Sequence, residues 1–124
     1  MILDGGLSTT LETLFQKDIS GPLWSARLLI EDPTTIKKAY KSFLEAGADI
    51  ITTSSYQASI PGFQSLSKTE SEAESLIHLS IQLAIEARDE FRAANQDTKR
   101  QNLLVTASIG CFGKKKLHSF PNNL

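Results

Sequence analysis

The chain has 124 residues, a formal net charge of −1, a pI near 6.1, 40% hydrophobic and 22% charged residues, the make-up expected of one soluble domain. This balance offers no electrostatic footprint for nucleic acid or an anionic membrane, and the one basic run, residues 114–116, reads as a solvated tail. A single cysteine, Cys111, excludes an internal disulfide framework and an all-thiolate metal site, and with no membrane-length apolar run and no leader-like start the expected compartment is the cytoplasm.

Residues 1–3 read as a very short apolar strand that stops at Asp4-Gly5-Gly6, where two glycines permit positive φ and close approach of a ligand to the backbone. Thr9 and Glu12 have capping-box spacing and Leu11, Leu14 and Phe15 repeat at helical intervals, which predicts a helix over residues 8–17. A loop punctuated by Gly21-Pro22 leads to residues 23–30, where Leu23, Ala26, Arg27 and Ile30 share a helical face and Trp24 suits either a lid or plain packing. Asp32 is placed to cap the next helix with Pro33 at its first position; Ile36, Ala39, Tyr40, Phe43 and Leu44 form its apolar stripe, and Gly47 closes it.

The stretch 47–59, GADIITTSSYQAS, follows that helix with consecutive apolar residues, Ile50 and Ile51, and then turns polar. This predicts a parallel strand covered on both faces, with its polar carboxyl end, residues 52–57, as the first site candidate. Residues 60–66, holding Pro61, Gly62 and Phe63, read as a loop. Ser67 and Glu70 form a second capping box, and Ala73, Leu76, Ile77, Ala84, Ala87 and Phe91 extend one amphipathic helix to about residue 94. After a polar connection, Leu103, Leu104, Val105, Ala107 and Ile109 make a third strand ending at Gly110. Strands separated by helices imply right-handed crossovers and a parallel sheet in a single domain without internal repeats.

Spacing alone leaves Asp4 as either a ligand for a cationic group or the cap of a strand-to-helix turn, and Tyr56 as either a pocket wall or an ordinary strand-end aromatic. A phosphate at Asp4-Gly5-Gly6 is disfavoured because the acid repels it. His78 lies off the apolar stripe and reads as a surface residue; His118 has no visible partner, and Cys111 has no His or Cys at chelating spacing.

The segments LDGGLSTTLE (3–12), LWSARLL (23–29), AGADIITTSSYQAS (46–59) followed by Gly62-Phe63, and SIG (108–110) occur in the order and spacing of the amino-terminal part of the homocysteine S-methyltransferases, the family this chain resembles over residues 2–113. The resemblance implies an α/β fold, the first three βα units of a TIM (β/α)8 barrel with parallel strands. It also implies a site at the carboxyl-terminal face that takes homocysteine and a sulfonium methyl donor and gives methionine. In such enzymes three cysteine thiolates hold a zinc ion that binds the homocysteine sulfur as a thiolate. By the resemblance Asp4 would receive the amino group of homocysteine, with Gly5 and Gly6 near its carboxylate and Thr53, Ser54, Tyr56 and Gln57 lining the pocket.

The departures are as informative. The family's zinc cysteines lie in later strands, and Cys111 stands where the family usually has proline. The tail KKKLHSFPNNL replaces the expected continuation after Gly113, so residues 1–113 are read as a partial barrel domain and 114–124 as a divergent tail, expected to arise from a frameshift, alternative splice or premature stop. Three units of eight leave open sheet edges and an uncovered inner face. The expectation is therefore a truncated homologue, inactive as an isolated chain; the alternative is a non-catalytic fragment that binds itself or a full-length paralogue.

Overall fold

The protein is described here by a computed structural model covering residues 1–110 except 22, 97, 98 and 101. Its centre is a parallel sheet in which β1 (Ile50–Thr52) pairs with β2 (Leu104–Thr106) in the register Ile50↔Leu104, Ile51↔Val105 and Thr52↔Thr106. On the other side of β1 the predicted first strand shrinks to one parallel bridge, Leu3↔Ile50. The ladder there runs from Ile50 N to Ile2 O (3.1 Å) and from Asp4 N to Ile50 O (2.9 Å). The next rung would join Thr52 N to the Asp4 carbonyl, but the Asp4 carboxylate takes that amide instead, at 2.7 Å. The strand thus ends where its side chain replaces its backbone.

Helices cover one face of this sheet. Ile51, fully buried, shares a core with Leu11, Ile36, Ala39, Tyr40, Leu44, Phe63, Ala84, Ala87 and Leu103. On the opposite face Leu3 and Leu104, aligned on either side of Ile50, remain 60% and 44% exposed. The expectation of strands covered on both faces is therefore corrected: the described residues cover one.

The helices start and stop for local reasons. α1 spans Leu7–Thr13 rather than 8–17. Gly6, not a threonine, is its N-cap, and Gln16 at φ 51° turns the chain so that Lys17 N reaches Leu11 O at 2.9 Å. Residues 18–21 and 23–24 belong to a strap: Arg27 donates to Ser20 O (2.9 Å) and Asp18 O (2.8 Å), while Leu23 and Trp24 both adopt positive φ, 67° and 45°. A 3₁₀ turn, Trp24–Arg27, then leads into α2, Leu28–Glu31.

α3, Pro33–Glu45, forms as expected, with Asp32 accepting from Thr35 N (3.2 Å) and Thr35 Oγ1 (2.7 Å). The Lys17 ammonium at 2.6 Å, ahead of the Thr35 bonds, brings the Asp32 carboxyl down to about 2. Gly47 follows at φ 111°, a backbone angle that a side chain would strain.

Residues 60–66 are not a loop. Ser59 Oγ accepts from Gly62 N at 3.1 Å and Pro61 sits in the first turn of α4, Ile60–Gln64. The box that opens α5, Glu70–Ala94, is Thr69 with Glu72 rather than Ser67 with Glu70. Thr69 N donates to Glu72 Oε2 (2.8 Å) and Glu72 N to Thr69 Oγ1 (3.1 Å), whereas Ser67 lies at φ 63°. α3 and α5 pack along one another, tied by Lys37 to Glu86 at 2.9 Å and by Lys37 and Lys41 to Glu90. His78 is exposed, and no described helix is long and apolar enough to cross a membrane.

Candidate functional site

The carboxyl ends of the strands bring together residues distant in sequence. At the centre is Asp4, partly buried, held by a single residue of the neighbouring strand: Thr52 N donates to Oδ2 at 2.7 Å and Thr52 Oγ1 to Oδ1 at 2.8 Å. Burial raises the Asp4 carboxyl above its ordinary value, the Thr52 bonds working against that rise. Asp32, Asp49 and Asp89 each pair with a cation; among the described residues Asp4 pairs with none. The cap reading of Asp4 is set aside, because Gly6 caps α1 and the Asp4 side chain is committed to Thr52.

Gly5 and Gly6 follow, and neither uses the positive φ that a glycine permits. The smallness of Gly5 serves close packing instead: a Cβ there would stand 3.2 Å from the Phe43 ring.

The remaining candidates divide into a tied set and a rim. Thr53 is buried, its hydroxyl 2.7 Å from Ser55 Oγ and accepting from Ser108 N at 3.0 Å, while Ser55 Oγ donates to Ser108 O at 2.8 Å. These bonds stitch the end of β1 to the segment after β2. Ser54, also buried, points into the helix layer beside Tyr40; the two hydroxyls lie close enough for Ser54 to hold the Tyr40 phenol down somewhat, but neither Ser54 Oγ nor Tyr40 Oη makes a well-aligned hydrogen bond. Burial above all pushes the Tyr40 phenol up to about 12. Tyr56 is 46% exposed and Gln57 partly exposed, on a rim that Gly110 closes: a Cβ there would fall 1.7 Å from Tyr56 O. Trp24, 49% exposed, is presented by the strap.

Tyr40 and Ser108 were absent from the sequence-predicted site, whereas Thr52 and Ser55 lay in its polar run, residues 52–57, without a role of their own. The pairing of Thr52 with Asp4 is set by strand register. No group of three His, Cys, Asp or Glu side chains among the described residues is arranged to hold a metal ion. Cys111, His118 and the basic run at 114–116 lie outside the described residues.

The profile of the homocysteine S-methyltransferase family matches residues 1–122. The chain belongs to that family. Among curated relatives it is 48% identical over 115 residues to homocysteine S-methyltransferase 1 of Brassica oleracea var. italica, covering 90% of this chain and 35% of the relative. It is 41% identical over 118 residues to the selenocysteine Se-methyltransferase of the same plant, with 90% and 34% covered. Among solved structures, the metallated form of the homocysteine methyltransferase MmuM from Escherichia coli superposes with a TM-score of 0.83 at 33% identity, over 96% of this chain and 41% of that one. The oxidized form gives 0.82 at 35%, over 91% and 38%. The chain spans about a third of the length of the curated relatives it matches. Its open parallel sheet and helices correspond to the first βα units of the family's TIM barrel, and the match reaches beyond Gly113.

Proposed function

We propose that this chain supplies the amino-acid half-site of a homocysteine S-methyltransferase barrel, with Asp4 receiving the ammonium group of homocysteine. The supporting observation is a partly buried carboxylate at the strand carboxyl ends, oriented by Thr52 and lacking a cation among the described residues. Such a charge is costly to bury alone, and an incoming ammonium supplies a charge-assisted partner. Gly5 and Gly6 bring their amides toward the ligand carboxylate. Tyr56 and Gln57 form the outer wall, with Thr53 and Ser54 supporting it from beneath.

The reaction of this class forms a bond between the homocysteine sulfur and a methyl carbon. The homocysteine thiol gives up its proton, the donor's sulfonium carbon–sulfur bond breaks, the donor leaves as a neutral thioether, and the product is methionine; the reading includes methionine formation in the cytoplasm as the setting. The described residues, which include no cysteine, do not form the three-thiolate zinc site that the family resemblance implies. On this reading the isolated chain binds homocysteine without converting it.

Calorimetric titration of homocysteine, with a parallel assay for methionine from homocysteine and S-methylmethionine, tests both halves. Saturable binding, weakened at least about tenfold in Asp4→Asn, is expected from loss of a hydrogen bond between charged groups. Unchanged affinity in that variant rules out the Asp4 role, and turnover with stoichiometric zinc rules out the half-site reading.

The outer edge of β2 and the exposed Leu3 and Leu104, flanking a partly buried Ile50, support a second reading, a fragment that associates with itself or a full-length family member. Sedimentation of the chain alone and co-elution with such a member test it; a monomer that ignores the full-length protein removes it.

A further inference from the structure

Thr52 ends β1 and gives both of its donors to one carboxylate, the amide to Oδ2 and the hydroxyl to Oδ1. The Asp4 main chain is fixed to the same strand, through its own amide to Ile50 O at 2.9 Å. Rotation of the carboxylate about Cβ–Cγ would break at least one of the Thr52 bonds, so one neighbouring residue sets the plane of the group. Each carboxylate oxygen has about two acceptor directions. Thr52 occupies one on each, and the others remain for a ligand.

The hydroxyl proton of Thr52 is committed to Asp4. Toward anything else Oγ1 therefore offers only lone pairs, beside a carboxylate that also only accepts. Tyr40, the titratable group facing this corner from α3, is buried and neutral, and no described cation pairs with Asp4. The corner thus presents several acceptors with one net negative charge, which suits a cation carrying several N–H groups. A quaternary ammonium has the charge but no N–H to give.

We propose that Thr52 is the positioning residue of the amine subsite, its hydroxyl holding the Asp4 carboxylate to receive a primary ammonium and adding an acceptor that selects this group over its N-trimethylated counterpart. The inference rests on the reading that Asp4 takes the ammonium of homocysteine. It adds what orients that acid and what the subsite refuses.

The test uses the full chain with Thr52→Val, which keeps the amide bond and loses the hydroxyl, Thr52→Ser, which keeps both, and Asp4→Asn. The probes are L-homocysteine and N-trimethylated homocysteine, with a carbon-13 titration of the Asp4 carboxyl as a second readout. Thr52→Ser is expected to bind homocysteine within about twofold of the parent. Thr52→Val is expected to bind it about tenfold more weakly, to lose most of the preference over the trimethylated probe, and to titrate Asp4 at higher pH. Thr52→Ala carries the same expectation where valine fails to pack. If Thr52→Val or Thr52→Ala matches the parent while Asp4→Asn loses binding, the Thr52 role is overturned and the Asp4 reading stands. If Asp4→Asn binds as the parent does, or the parent does not bind, both are overturned.

Discussion

Asp4 and Asp49 stand at opposite ends of the same strands and are treated in opposite ways. Asp49, just before β1, accepts from Ile2 N at 2.7 Å and from Arg100 Nε at 3.3 Å, with the Met1 amino group 3.9 Å away. Arg100 also donates to Leu44 O at 2.9 Å and to Ala48 O, and its guanidinium lies 5.4 Å from the centre of the Phe91 ring. One side chain thereby joins the end of α3, the start of β1 and α5, and through Asp49 the residues before Leu3. The Ile2 amide first, then Arg100, holds the Asp49 carboxyl below its ordinary value. Asp4, bonded only to Thr52 and its own strand, is raised by burial. The amino-terminal end uses its charges to hold the fold, while the carboxyl-terminal end keeps a charge available. That is the division of labour between the two faces of barrel enzymes.

The largest expected effect comes from breaking the stabilising end. Arg100→Met keeps an apolar stem but removes the guanidinium from Phe91 and takes away three donors, leaving Leu44 O, at the end of α3, and Ala48 O, just beyond it, without them. Bonds from a charged donor contribute about 1.5–3 kcal/mol, so a loss of about 2–3 kcal/mol in urea unfolding is expected. A loss under about 0.5 kcal/mol would show that the amino-terminal end is not the clamp its geometry suggests.

The two acids also set opposite pH dependences. Asp49 titrates lower in the fold than in the unfolded chain, so its stabilising share is complete above the ordinary carboxylate range near pH 4 and is lost as pH falls through the folded value. Asp4 titrates higher in the fold, so its ionised form opposes folding above that folded value, and this opposition fades as pH falls toward the unfolded value. Asp49→Asn should therefore flatten the acid limb of stability against pH. Asp4→Asn should make it steeper and slightly raise the neutral-pH midpoint, because an amide can still accept from Thr52 N and donate to Thr52 Oγ1. Thermal unfolding from pH 3 to pH 7 distinguishes them; parallel curves for the two variants would remove the contrast.

Local punctuation made much of the fold legible. Asp32, Pro33 and Gly47 bound α3 because a cap, a fixed φ and a positive φ act within a few residues. Two capping boxes offset by two residues competed at the start of α5, and winding after α4 decided between them. Lys68 N bonds Phe63 O at 3.2 Å and Ser67 N bonds Gln64 O at 3.0 Å, which commits Ser67 to the turn. α4 carried its own signal in Ser59 and Pro61, masked by Gly62; a Cβ there would meet Leu23 Cδ2 at 2.6 Å, a tertiary reason for the glycine. In the site, Asp4 was visible beside its glycines, but its partner Thr52 is 48 residues away and the Asp49–Arg100 contact spans 51. Pairings across such distances follow from strand register, which periodicity does not encode.

The smallest expected effect probes what lies beneath the open charge. Tyr40 is fully buried, with its hydroxyl beside Ser54, yet neither oxygen makes a well-aligned hydrogen bond. A buried hydroxyl without a partner costs desolvation free energy on folding, and Tyr40→Phe removes that cost while leaving the ring in the core. Stability is therefore expected to stay within about 0.5 kcal/mol of the parent or to rise, with homocysteine affinity unchanged because Asp4 is oriented from the strand side by Thr52. Urea unfolding and one titration measure both. A loss above about 1 kcal/mol would mean that the hydroxyl is satisfied in solution, through Ser54 or water. A loss of affinity would mean that the helix layer, as well as the neighbouring strand, orients Asp4. Then the carboxyl-terminal end would be braced from two sides, and its contrast with the Arg100 clamp would be one of charge alone.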